Sequence, residues 1–119
     1  MTTMSNPRRG EIWDVRFDPS IGAEIKKVRP AVVINDNAVG RLPLRIIVPI
    51  TEWNHFFSKF LWMVNLQPTA TNGLTKESGA DAFQVKSVSV DRFVKLRGSL
   101  LDAELDDIAS AVAMCIDAP

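Results

Sequence analysis

The chain has one cysteine and one histidine in 119 residues, and each scarcity removes a class of chemistry. A single thiol, Cys115, can form no disulfide within the chain and no thiolate metal site. It falls in an apolar helical pattern, where a thiol behaves as a small buried hydrophobe. One histidine without clustered Asp, Glu or His spacing argues against a catalytic metal centre. That residue, His55, is also the sole base available to a Ser-His-Asp triad, and no nucleophile-elbow sequence precedes any serine. The six glycines are scattered, so no Gly-rich phosphate loop exists. The apolar runs are too short to span a bilayer, and Met1–Gly10 lacks the apolar core of a signal peptide. A soluble, cytoplasmic, cofactor-free protein is the expectation.

Net charge is also absent, but its distribution is not even. Residues 1–59 hold nine Lys/Arg against six acids, and residues 60–119 hold five against eight. A chain that is +3 in one half and −3 in the other can hold a polyanion on one side. The apolar share of 46% is enough for one core, and the length fits one domain. Residues 1–8 are polar, contain Pro7, and read as a loose tail before a single domain over residues 9–119.

Strands dominate that domain. Residues 11–17 alternate, with Trp13, Val15 and Phe17 on one face and Asp14 and Arg16 on the other. Residues 30–34 are a continuous apolar run that stops at Asn35-Asp36-Asn37, which predicts a central strand and a turn. Residues 44–51 form another, where Pro49 argues for an edge position or a bulge. Further strands are expected over 61–66, 83–90 and 93–100, with 53–59 and 67–79 as loops. Leu101, Leu105, Ile108, Ala109, Val112 and Ile116 then recur at helical spacing. Acids crowd the first turns of that helix, where its dipole favours them, and Ser99 or Asp102 can cap it. The fold class is therefore mainly β (α+β), a small, strongly bent, barrel-like antiparallel sheet carrying a C-terminal α-helix.

The most informative segment is Lys26-Lys27-Val28-Arg29-Pro30, followed at once by the apolar strand Ala31–Ile34. Proline fixes the backbone and biases Arg29 away from helix, so a permanent cation stands at the mouth of a rigid β-element. Thr51 closes the next predicted strand. If the two strands pair as a hairpin, the start of one meets the end of the other, and Arg29 and Thr51 become neighbours at one rim. A guanidinium and a hydroxyl converging on one point can grip a phosphate. The ordinary alternative is an Arg29 ion pair with Glu24 or Asp36 and a Thr51 that is only a β-branched strand residue.

At this point the sequence resembles a known family. Arg9-Gly10-Glu11-Ile12-Trp13, Asp18-Pro19, Gly22-Ala23-Glu24, Val28-Arg29-Pro30-Ala31-Val32-Val33-Ile34 and Val48-Pro49-Ile50-Thr51 occur in an order similar to that of the MazF/PemK (Kid) toxins. Gly73-Leu74, Glu77-Ser78, Gln84-Val85-Lys86-Ser87-Val88 and Arg92-Phe93 extend the likeness. The resemblance implies a CcdB/PemK-like, SH3-like barrel working as a homodimer. It further implies metal-independent cleavage of single-stranded RNA, most naturally mRNA, at a short specific sequence, and silencing by a MazE-like antitoxin. Carried over by motif, Arg29 and Thr51 are the catalytic pair, and Glu24, Gln84 and Lys86 contact RNA. Lys27, in the basic cluster, is a further RNA-binding candidate.

Without metal, a ribonuclease can let the ribose 2′-hydroxyl attack the adjacent phosphorus, and a fixed guanidinium suits the charge that develops there. Arginine stays protonated, so it is a poor base; His55 is the side chain whose ordinary pKa suits that task, or else a loop residue with no role. Residues 53–62 hold five Trp/Phe in ten positions. Trp53 and Phe57 are candidate stacking platforms for unpaired bases, whereas Trp62 is read as core or dimer seam. Two other classes compete: a CcdB-like gyrase poison, disfavoured because its Trp-Gly-Ile ending is replaced here by Ile116-Asp117-Ala118-Pro119, and a non-catalytic RNA-binding barrel.

Overall fold

A computed structural model describes residues 5–17 and 28–119. Seven strands and one helix follow in chain order: β1 (Glu11–Arg16), β2 (Val28–Val33), β3 (Leu44–Glu52), β4 (Met63–Leu66), β5 (Ser78–Asp81), β6 (Lys86–Ser89), β7 (Phe93–Ser99) and α1 (Asp102–Cys115). The antiparallel path runs β4-β5-β3-β2-β1-β7, with β6 also on β3. The class is as expected, mainly β with a terminal helix, but the barrel is not closed, since β4 and β7 end the path unpaired with each other.

Both faces of the central strands are buried, which explains why β2 and β3 read as continuous apolar runs. Ile12, Val32, Val48 and Ile50 face one cluster, shared with Leu66, Leu74, Leu105 and Ile108, the last two on α1. Val15, Ala31, Val33 and Ile47 face a second cluster, closed by Val88 and Phe93. Trp13 and Phe17 pack on this second side, and Trp13 meets the edge of Phe93 at 5.8 Å. Register shifts in the β1–β7 ladder bend the sheet there. Helix α1 buries Leu105, Ile108 and Ala111 and leaves Leu101 and Ile116 exposed. Its cap differs from expectation. Ser99 ends β7 and Asp102 opens the helix, and it is Glu104 that accepts from the Leu101 N–H at 3.1 Å.

Pro49 is neither at an edge nor at a bulge. β3 pairs β2 in register (Ala31↔Pro49, Val32↔Val48, Val33↔Ile47), while its other side meets β6 through Leu44–Ile47 and β5 through Ile50–Glu52. Val48 and Pro49 fall in the gap between those two partners, where a missing N–H costs no ladder bond. Strand β5 lies where a loop is expected, because Ser78-Gly79-Ala80-Asp81 carries no strand propensity of its own. Conversely, Ala82–Gln84 is a 3-10 turn, capped by the Asp81 carboxylate, rather than the start of a strand.

Arg45 is 3% exposed, and among the described residues no carboxylate pairs with it. Its guanidinium donates instead to the carbonyls of Pro7 (2.8 Å), Leu42 (2.7 Å), Leu44 (2.8 Å) and Gly40 (3.4 Å) and to Asn6 Oδ1 (3.1 Å). Pro7, in the stretch read from sequence as tail, is itself fully buried. Replacing Arg45 by Leu strands several of these carbonyls, and we expect a loss on the order of 2–4 kcal/mol. Urea unfolding followed by circular dichroism measures it; a variant as stable as the parent would contradict this account.

Candidate phosphate-binding rim

The β2–β3 register, continued by two residues, sets Arg29 opposite Thr51. Both residues line the same two cavities, one of about 290 Å³ and one of about 470 Å³. Arg29 is exposed and Thr51 half-buried, so the guanidinium reaches solvent from a strand that is fully buried from Ala31 to Val33. The alternative partners of Arg29 are partly resolved. Asp36 spends its carboxylate on the Ala38 N–H at 2.8 Å, capping a 3-10 turn, and Glu24 lies outside the described residues, as does Lys27.

The larger cavity gathers Phe57, Gln84 and Lys86 around the pair, together with Phe17 and Asp81. Lys86 Nζ stands 5.2 Å over the Phe17 ring, a cation–π contact that holds the ammonium at the cavity wall. Gln84 Nε2 donates to Asp81 Oδ2 at 2.8 Å, and this bond leaves its carbonyl oxygen unused as an acceptor. Phe57 is braced by the edge of Trp53, with centroids 5.5 Å apart. Trp53 and His55 line neither cavity. Trp53 is half-buried against Gly79, and His55 is exposed with its ring 4.1 Å from that of Phe56. Trp62 stacks on Phe60 at 4.9 Å with the planes 4° apart.

Sequence reasoning missed the other wall. The smaller cavity adds Glu52, Thr75, Lys76 and Arg97. Lys76 Nζ lies 3.4 Å from Glu52 Oε2, an exposed and weak pair. Arg97 Nε donates to Asp14 Oδ1 at 2.6 Å, a partly buried pair that fixes the guanidinium plane. Only the period-two alternation of Lys95 and Arg97 in β7 signals them, and it becomes useful once β7 is known to pair with β1. Among groups able to take a proton, Glu52 lines the smaller cavity and Asp81 the larger. No cluster of three or more His, Cys, Asp or Glu able to hold a metal occurs among the described residues. Nor, among them, is any helix long and apolar enough to cross a membrane.

A rim of this kind, two guanidinium groups and two hydroxyls along connected clefts, is suited to a phosphodiester backbone. Comparison with other proteins adds a likeness over nearly the whole chain. Residues 8–116 match the family model described as PemK-like, MazF-like toxin of type II toxin-antitoxin system. Endoribonuclease MazF9 of Mycobacterium tuberculosis is 32% identical over 116 residues, covering 92% of this chain and 96% of that protein. Endoribonuclease PemK of Escherichia coli is 40% identical over 55 residues, 44% of this chain and 40% of that one. In fold, the chain matches the MazE-MazF crystal structure (Form-II) from Deinococcus radiodurans with a TM-score of 0.75, at 21% identity and covering 95% of this chain and 97% of that one.

The wall at Phe57 rests on Gly79. A Cβ there would stand 2.8 Å from Met63 Cε and 3.1 Å from the Trp53 ring. A Gly79→Val substitution is expected to push the indole off Phe57, red-shift tryptophan emission and weaken the near-ultraviolet circular dichroism. Unchanged spectra would show that Gly79 does not set this wall.

Proposed function

The chain belongs to the PemK-like, MazF-like toxin family of type II toxin-antitoxin systems, and from that premise we propose that it is an endoribonuclease whose reaction centre is the Arg29–Thr51 rim. The substrate is single-stranded RNA, mRNA above all, cut at a short specific sequence in the cytoplasm, with growth arrest as the outcome. The observation that carries the reading is that a permanent cation and a hydroxyl line both clefts together.

The reaction follows from those groups. The ribose 2′-hydroxyl attacks the adjacent phosphorus, the P–O5′ bond breaks, and a cyclic phosphate and a 5′-hydroxyl result. Negative charge grows on the non-bridging oxygens in the transition state. Arg29, whose backbone is held in the β1–β2 ladder opposite Val15, brings a permanent cation to that charge. Thr51 donates to the same oxygens or orients the attacking hydroxyl. Glu52 and Asp81 are the wall groups able to accept its proton. No step requires a metal. Gln84 and Lys86 hold the neighbouring nucleotides, as do Glu24 and Lys27, and Phe57 offers a stacking face. A MazE-like antitoxin covers this cleft and neutralises the enzyme, by analogy with the MazE-MazF assembly whose fold the chain shares. Two copies form the working dimer.

Three measurements test the reading. Purified protein should cut a long single-stranded RNA in EDTA and leave 5′-hydroxyl ends; RNA left intact across varied sequences would refute it. Arg29→Ala should lower kcat by about 100- to 1,000-fold, and Thr51→Val by roughly ten- to a hundredfold; an Arg29→Ala enzyme as fast as the parent would remove this mechanism. Light scattering at micromolar protein should give twice the 13.2 kDa chain mass, and a monomeric mass would exclude the dimer.

A further inference from the structure

A third cavity, of about 230 Å³, lies beyond the smaller cleft and shares Thr75 and Arg97 with it. The smaller cleft in turn shares Arg29, Ile50 and Thr51 with the larger one. The three therefore adjoin in a row, here called the trough, and each neighbouring pair shares an arginine and a threonine in its lining. We propose that Arg97 and Thr75 form a second phosphate subsite, which holds the RNA linkage next to the one cut at Arg29–Thr51. The inference rests on the endoribonuclease reading and extends it.

The Arg97 guanidinium is built for this. Nε is taken by Asp14, and Nη1 donates to the Gly73 carbonyl at 3.2 Å; neither bond uses Nη2. The head is thus oriented by two contacts and still has donors for a ligand. The Asp14 carboxylate does not cancel its charge alone, because Lys95, paired across the ladder with Asp14, lines the same outer cavity. Among the described residues the whole trough holds five cations (Arg29, Lys76, Lys86, Lys95 and Arg97) against three carboxylates, on a chain with no net charge. Thr75 is brought to Arg97 by a close backbone approach. Gly73 has φ +71°, and a Cβ on Gly73 or Gly98 would run into backbone carbonyl oxygens of the facing segment, Arg97 and Thr71 respectively. Cationic grooves that track the backbone in this way position a single strand without reading its bases.

The test uses an RNA oligonucleotide carrying a single 2′-deoxy sugar at the cut site, so that it binds without being cleaved. Neutral methylphosphonates are placed one linkage at a time, and affinity is read by fluorescence anisotropy. For the parent protein, neutralising one linkage adjacent to the cut should weaken binding about tenfold. Arg97→Gln should weaken binding of the unmodified oligonucleotide by a similar factor, abolish the sensitivity to that one methylphosphonate, and reduce the slope of log affinity against log salt by about 0.7. On cleavable RNA it should raise KM and leave kcat within about twofold. Thr75→Val, at an exposed position, tests the same subsite without touching the Asp14 pair, and should lose part of the same sensitivity. If neither variant changes the response to any methylphosphonate, the subsite is overturned even where the parent cuts RNA. If the parent binds with an Arg97-dependent linkage but never cuts, the subsite stands and the nuclease reading falls.

Discussion

The β2–β3 register is the constraint on which the rest depends. Val32 opposite Val48 and Val33 opposite Ile47 each point into a different core cluster. A slip of one residue would exchange the two sets and drive Arg29 or Thr51 toward the interior. The cores therefore do more than stabilise the sheet. By fixing which residues face which layer, they dictate that the cation and the hydroxyl at the strand ends share one rim. The geometry of the proposed site is a by-product of apolar packing several residues away.

Buried polarity reinforces that frame. Arg45 gathers backbone carbonyls from residues 7, 40, 42 and 44, tying the segment before β1 to the β2–β3 connection. Asn35 Oδ1 accepts from the Ile46 N–H at 2.9 Å and closes the same connection from the other side. Fully buried Asn72 accepts from the N–H groups of Thr69 and Leu74 and donates to the Gln67 carbonyl, so residues 67–74 are an ordered loop without being a regular element. An apolar core alone gives no directional restraint on connections; these few satisfied polar side chains supply it.

What the sequence revealed was set by local pattern. Alternation and apolar runs marked β1, β2, β3, β4, β6, β7 and α1, and hairpin logic placed Arg29 beside Thr51 from pairing alone. What it hid was long-range. Ser78–Asp81 is a strand only because β3 and β4 flank it. Arg97 and Lys95 carry no local signal of a site; what brings them to it is the pairing of β7 with β1. Among the described residues, four of the five cations along the trough (Lys76, Lys86, Lys95 and Arg97) come from the acidic half, so the half-chain charge split does not by itself mark this surface. His55 drew attention because its chemistry is versatile, but a lone titratable residue gives no information about where its ring is.

The first strand pairs with the last, Glu11 opposite Ser99, and this has a consequence in time rather than space. A ribosome delivers the chain from its N-terminus at about 5–20 residues per second. Arg29 and Thr51 emerge before the β7 wall and the α1 face that seals the core. Non-local pairing of this kind is also slow to form. The cleft thus becomes complete only after β7 has paired with β1 and α1 has emerged, which separates in time the appearance of Arg29 and Thr51 from the completion of the walls around them.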